Sequence, residues 1–166
     1  MYEASILVPI RYFVWVSKWV SNLVSVRKKN GEIRLSIDFR DLNKASLKDN
    51  HSLPKMDHIL QRVVGSRRIS LLDGYSGYNQ ILVHPDDQLK TTFTTPWGTF
   101  MYVKMPFGLM NVGETFQRAM DIAFLEELGF FIIIYLDDVT VFSKTDEEHL
   151  EHLEIFSRNA ESLGYL

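Results

Sequence analysis

Phe130-Phe131-Ile132-Ile133-Ile134-Tyr135-Leu136-Asp137-Asp138-Val139-Thr140-Val141-Phe142 carries apolar and β-branched residues up to two adjacent aspartates and continues in kind after them. Such a run predicts a hairpin of buried strands with the acidic pair at its turn. Neighbouring carboxylates against an apolar support repel each other and lose hydration, so a compensating cation is the natural reason to place them there. Oxygen ligands of this kind suit hard divalent ions, and Mg²⁺ in particular binds through one or two carboxylates together with substrate phosphates. The competing reading is an Asp-Asp dipeptide in an exposed turn, where aspartate is favoured for conformational reasons alone.

On either side of this hairpin the chain reads as helix. Phe116, Met120, Ala123, Phe124 and Leu128 mark the apolar side of a helix over about 112–127 that Gly129 closes, and Leu150, Leu153, Ile155 and Phe156 mark another over about 146–163. Thr145 is an N-cap candidate with Asp146, Glu147 and Glu148 in the first turn behind it. His149 and His152 stand among acids on this helix and read as solvated histidines rather than metal ligands.

A third carboxylate lies upstream. Ile69-Ser70-Leu71-Leu72-Asp73 predicts a short buried strand ending on an acid, and Gly74 and Gly77 let the following backbone turn tightly and approach a ligand. A strand-end carboxylate followed by exposed amides suits a metal ligand beside a phosphate-binding nest, although a plain Asp-Gly turn fits the same residues. Between these acids, strands are expected over Lys90–Thr95 and Thr99–Val103, and Met105-Pro106-Phe107-Gly108-Leu109 reads as a connection.

The first third has the opposite character. Residues 1–70 hold 13 Lys and Arg against 6 Asp and Glu, whereas 71–166 hold 5 against 15, a segregation hidden by the net charge of −3. Such asymmetry suggests one region that attracts anions and another that holds cations, although a solvated surface would explain part of it. Leu23–Val26 and Ile33–Ile37 read as strands joined across Asn30-Gly31, a strong hairpin signal that puts Lys28, Lys29 and Arg34 on a basic hairpin. Asp38 to Lys44 reads as a charged link, and Pro54 opens a helix carrying Met56, Ile59, Leu60, Val63 and Val64 before Gly65.

The chain has 166 residues and an apolar fraction of 46%, enough for one domain with a core. With no cysteine, a disulfide scaffold, a thiolate zinc site and a cysteine nucleophile are excluded. No run approaches the roughly 18–20 apolar residues of a membrane span, so a soluble intracellular protein without membrane contact is expected.

The ordered set Val26-Arg27-Lys28-Lys29-Asn30-Gly31, Ile37-Asp38-Phe39-Arg40-Asp41-Leu42-Asn43, Leu72-Asp73-Gly74-Tyr75-Ser76-Gly77-Tyr78-Asn79-Gln80-Ile81, Met105-Pro106-Phe107-Gly108-Leu109 and Tyr135-Leu136-Asp137-Asp138 resembles the reverse transcriptases of long-terminal-repeat retrotransposons, gypsy-type and plant-like. The resemblance runs from about residue 15 to the C-terminus. It implies an α+β fold in which an antiparallel sheet is backed by helices. Fingers are expected mainly over 1–70 and 86–110, and palm mainly over 71–85 and 111–166.

By the same resemblance Asp73, Asp137 and Asp138 are the catalytic carboxylates, holding two Mg²⁺ or Mn²⁺ ions with the Gly74 carbonyl completing a metal shell. Lys28, Arg34, Ser76, Gly77, Tyr78 and Phe107 are implied around the incoming deoxynucleoside triphosphate, with Tyr78 under the sugar where it would exclude a 2′-hydroxyl. Without the family match Tyr78 reads as a core tyrosine. Gly108, Gln117, Tyr135 and Leu136 are implied on the side of the template, RNA or DNA, and its primer. Glu114 stands where the family usually has a small residue. Thumb, connection, RNase H and integrase regions are expected as further polyprotein parts, none of them within these residues, and the family implies a cytoplasmic particle and the nucleus. The rival reading is an inactive or decayed remnant that at most binds nucleic acid.

Overall fold

The computed structural model describes residues 6–10, 18–73 and 77–162, the side chains of Arg34, Asp73 and Ser162 excepted. In chain order the elements are β1 (Leu7–Pro9), β2 (Ser21–Arg27), β3 (Ile33–Ile37), α1 (Arg40–Ala45), α2 (Met56–Val63), β4 (Arg68–Asp73), a 3₁₀ turn (Gly77–Gln80), α3 (Pro85–Gln88), a second 3₁₀ turn (Leu89–Thr91), β5 (Phe93–Thr95), β6 (Gly98–Tyr102), α4 (Val112–Ala123), β7 (Ile132–Tyr135), β8 (Asp138–Ser143) and α5 (Asp146–Ser162). They form two compact units, residues 1–48 with 78–112 and residues 49–77 with 113–166.

The first unit is built on a five-stranded sheet in the order β1-β6-β5-β2-β3. Its β2–β3 hairpin turns at Gly31, whose φ of 88° is the backbone state that Asn-Gly predicted. One pair departs from the expected antiparallel pattern: β2 and β5 run parallel, Ser21 opposite Phe93 and Asn22 opposite Thr94. Ile37, Phe39 and Phe93 form the buried centre, with Leu7, Leu23, Leu42, Phe100, Tyr102 and Leu109 packed around them. The strand expected over Lys90–Thr95 is shorter. Pro85 starts α3, His84 accepts from the Asp86 N–H, and the Thr91 and Thr92 hydroxyls bond back to the Gln88 and Leu89 carbonyls, so helical turns occupy the segment as far as Thr91. The charged link at Asp38 likewise winds into α1, aided by the Asp38 carboxylate, which accepts from the Arg40 N–H and guanidinium.

The second unit carries an antiparallel sheet in the order β4-β8-β7, with α5 packed against β8. Val141 and Ile132 have no exposed surface, and neither does Phe124, whose ring stacks on Phe156 of α5. Thr145 and Glu148 close a reciprocal capping box at the start of α5, each side chain accepting from the other's backbone N–H at 3.2 Å. Residues 49–70 belong to this unit. Their tie is visible near Asp49 and His51: the Arg118 guanidinium bonds both Asp49 oxygens at 2.6 Å, and His51 meets Asp121, both partners standing on α4.

Candidate catalytic site

The acidic pair lies at the turn that the apolar pattern predicted. In the β7–β8 hairpin Tyr135 is paired with Asp138, leaving Leu136 and Asp137 as a two-residue loop. Tight loops of this length need positive φ at their first central position, normally supplied by Gly or Asn. Here Leu136 supplies it with φ 54°, the only positive φ at a non-glycine residue among the described residues. A branched side chain in that region costs about 1–2 kcal/mol, so neighbouring structure must hold the turn.

Gln117 holds it. This side chain, on α4, has no exposed surface, and its Oε1 accepts from the Leu136 N–H at 2.9 Å while its Nε2 donates to the Ile134 carbonyl at 3.1 Å. The second Nε2 hydrogen goes to Asp121 Oδ1 at 2.9 Å. Gln117, expected beside template or primer, bonds the backbone of the turn. Gly113 leaves room for the same loop, because a Cβ there would stand 3.1 Å from Leu136 Cδ2.

The register brings the third acid alongside. Asp73, the last residue of β4, is the Cα partner of Asp138 on the central strand β8, whose other partner is Tyr135. Directly opposite positions of an antiparallel ladder have Cα atoms about 4.5–5.5 Å apart. Asp138 is exposed, whereas Asp137 Oδ1 is buried and has no hydrogen-bond partner among the described residues. A buried carboxylate oxygen without a partner carries a desolvation cost that a divalent cation would offset, so the donors present fit a hard metal ion. Among the described residues, which leave out the Asp73 side chain, no three acidic or imidazole side chains gather into a metal-binding group. Gly74 and Ser76 lie outside the described residues.

Of the remaining expected residues Lys28, Arg34, Tyr78, Phe107 and Gly108 belong to the first unit, and Gly77 to the second. Lys28 forms an exposed ion pair with Glu32 at 2.9 Å across the β2–β3 turn, and this bond, with a second from Asn30, holds the Glu32 carboxyl below its usual range. Arg34 lies on β3 opposite Val26. Gly77 and Tyr78 are buried in the first 3₁₀ turn, and the Tyr78 ring meets Phe107 edge to face with centroids 4.8 Å apart. Phe107 is half exposed and lines an open cleft of about 440 Å³ with Pro106, Asn79, Leu35 and Ile37. Gly108, at φ 97°, is held from both sides by Asn43, whose Nδ2 donates to the Gly108 carbonyl while its Oδ1 accepts from the Met110 N–H, both at 2.8 Å.

Two features were not anticipated. Asn43 was read as part of a charged link, yet it clamps the 108–110 loop. His149 and His152, expected in solvent, join a polar chain: Ser70 Oγ to His149 Nε2 at 2.8 Å, His149 Nδ1 to Ser143 Oγ at 3.0 Å, and Ser143 Oγ to His152 Nδ1 at 2.7 Å. His149 is buried and the His152 ring stacks on Phe131, so both fasten α5 to the sheet. Glu114 occupies the first turn of α4, where its charge opposes the helix dipole favourably.

Residues 26–165 match the family model described as reverse transcriptase (RNA-dependent DNA polymerase). The chain is 36% identical over 125 residues to the retrovirus-related Pol polyprotein from transposon gypsy of Drosophila melanogaster, covering 75% of this chain and 12% of that protein. It is 35% identical over 132 residues to an RNA-directed DNA polymerase homolog of Oenothera berteroana, covering 78% of this chain and 93% of the other. Among solved structures it is similar to the prototype foamy virus protease-reverse transcriptase, with a TM-score of 0.81 and 21% identity over 98% of this chain and 21% of that one. A second foamy viral protease-reverse transcriptase structure, in complex with an RNA/DNA hybrid, superposes with a TM-score of 0.79 at 22% identity, covering 93% of this chain and 20% of that one.

Proposed function

The chain belongs to the reverse transcriptase (RNA-dependent DNA polymerase) family, and from that premise we propose that it carries the catalytic carboxylates of an RNA-directed DNA polymerase that adds deoxynucleotides to a primer along a template. The observation that supports this most is the pairing of Asp73 with Asp138 beside a turn whose Asp137 Oδ1 is buried without a partner. The chain spans only about an eighth of the gypsy polyprotein it matches, so the activity of a whole polyprotein is part of the proposal.

Asp73, Asp137 and Asp138 would hold two Mg²⁺ or Mn²⁺ ions, with the Gly74 carbonyl as a further ligand. Two such ions supply activation of the primer's 3′-hydroxyl and charge neutralisation at the triphosphate. The protein's own part is alignment and electrostatics, the main source of acceleration in phosphoryl transfer. Gln117 keeps the Leu136-Asp137 backbone in place. Lys28 and Arg34 would grip the triphosphate, the lysine as a point charge and the arginine as a fork, and the Ser76 and Gly77 amides would be further donors to it. Tyr78, steadied by Phe107, lies under the sugar and excludes a 2′-hydroxyl. Gly108, Tyr135 and Leu136 border template and primer. The sheet of the first unit is read as fingers and that of the second as palm, working inside the cell with thumb, RNase H and integrase parts of a polyprotein.

The test is extension of an oligo(dT) primer on poly(A) by one nucleotide with Mg²⁺. Asp137→Asn should lower the rate at least about a hundredfold, about 2.7 kcal/mol of barrier. Tyr78→Ala should raise ribonucleotide incorporation. Extension unchanged by Asp137→Asn, in a chain that extends the primer before substitution, would overturn the assignment.

A further inference from the structure

We propose that His51 and Asp121 are positioning residues of the catalytic turn, acting through the Gln117 amide. The proposal rests on the metal-binding reading of Asp137. A primary amide can sit in a pocket in two orientations, with oxygen and nitrogen exchanged, and only its partners decide between them. The Leu136 N–H can only donate, whereas the Ile134 carbonyl and a carboxylate can only accept. Asp121 stands four residues after Gln117, one turn along α4, and its Oδ1 accepts the hydrogen that the Ile134 carbonyl does not take. The amide is thereby saturated in the one orientation that turns Oε1 toward Leu136.

Asp121 in turn needs an anchor, because its side chain is 28% exposed and otherwise free to rotate. His51 Nε2 holds Oδ2 at 3.1 Å, and the ring is itself fixed by its backbone: the His51 N–H donates to Asp49, which is gripped by Arg118. A line of direct bonds thus runs from the segment before α2, through α4, to the residue that precedes Asp137. It resembles in logic the outer partners that orient metal ligands and whose loss lowers metal affinity without touching the ion.

The account separates these residues from ordinary helix ties. Asp121→Leu leaves one buried amide hydrogen without a partner and lets the Gln117 side chain rotate, so the Leu136 N–H loses its acceptor. Asp121→Asn keeps an oxygen toward Gln117 and rescues it, with the amide nitrogen toward a His51 ring that then accepts.

The experiment uses the whole chain, with amide hydrogen exchange read at Leu136 and Mn²⁺ affinity read by electron paramagnetic resonance. Asp121→Leu should speed Leu136 exchange and weaken Mn²⁺ binding, each by about tenfold, while amides within α5 keep their protection. Asp121→Asn should stay within about twofold of the unaltered chain on both readouts. Where Asp121→Leu does not fold, His51→Leu serves, with an expected change of about threefold at Leu136. Unchanged Leu136 exchange in a folded variant would overturn the proposal. Asp137→Asn provides the separation: it should abolish tight Mn²⁺ binding and leave Leu136 protected. If it leaves Mn²⁺ affinity intact, the metal reading fails, and the positioning proposal with it. If it removes binding while Asp121→Leu has no effect, only the positioning proposal fails.

Discussion

Gln117→Leu removes one amide and keeps nearly the same shape, at a position with no exposed surface. Three groups lose a partner: the Leu136 N–H, the Ile134 carbonyl and Asp121 Oδ1. Asp121 is partly exposed and regains water, which leaves the two backbone groups to bear the change. Unmet buried groups cost about 1–3 kcal/mol each, and the more apolar side chain returns about 1 kcal/mol, so a net loss of about 1–5 kcal/mol is expected. With a urea slope near 2 kcal/mol/M, the unfolding midpoint falls by about 0.5–2.5 M. Helical circular dichroism is the suitable probe, because α2, α4 and α5 supply most of the helix among the described residues, whereas Trp19 and Trp97 lie in the first unit. A midpoint within about 0.3 M of the unaltered chain would refute the claim that this amide holds the turn.

Thr145→Ala opens the capping box of α5 and should destabilise the second unit by about 1 kcal/mol, seen as a lower thermal midpoint that Thr145→Ser restores. Gly129→Ala places a methyl group against the Arg62 guanidinium at a backbone φ of 82°; the arginine can swing away but the backbone cannot, so a loss of about 1–2 kcal/mol should remain in an Arg62→Ala background. Asp38 titrates at about 2 because the Arg40 guanidinium and N–H stabilise its charged form, from an ordinary value of 3.8. Its folded value is the depressed one, so its contribution to stability is complete above about pH 4 and is lost as pH falls toward 2. Arg40→Ala should move the Asp38 carboxyl midpoint, read by carbon NMR, back toward 3.8.

The hairpin, its acidic turn and the capped α5 were legible because each depends on neighbouring residues: a continuous apolar and β-branched run, an acidic pair interrupting it, threonine before a cluster of acids. The expectation of a metal at the turn arose for a related reason, since adjacent carboxylates in an apolar run need an explanation whatever the fold. What stayed hidden depends on partners far away in sequence. A glutamine in mid-helix gives no sign that it will be buried beneath a strand turn, and His149 among acids looks the same whether it meets water or Ser70 and Ser143. The parallel pairing of β2 with β5 is likewise non-local. The helical turns over 85–91 did carry a signal, Pro85 followed by acids, which the β-branched threonines behind it obscured.

Direct titration with Mn²⁺ tests the central claim most simply. The unaltered chain should bind the ion, and Asp73→Asn, Asp137→Asn and Asp138→Asn should each weaken binding by at least about tenfold while circular dichroism stays unchanged. Equal Mn²⁺ affinity in the chain and in all three variants would contradict the assignment of these aspartates as a metal-holding catalytic group.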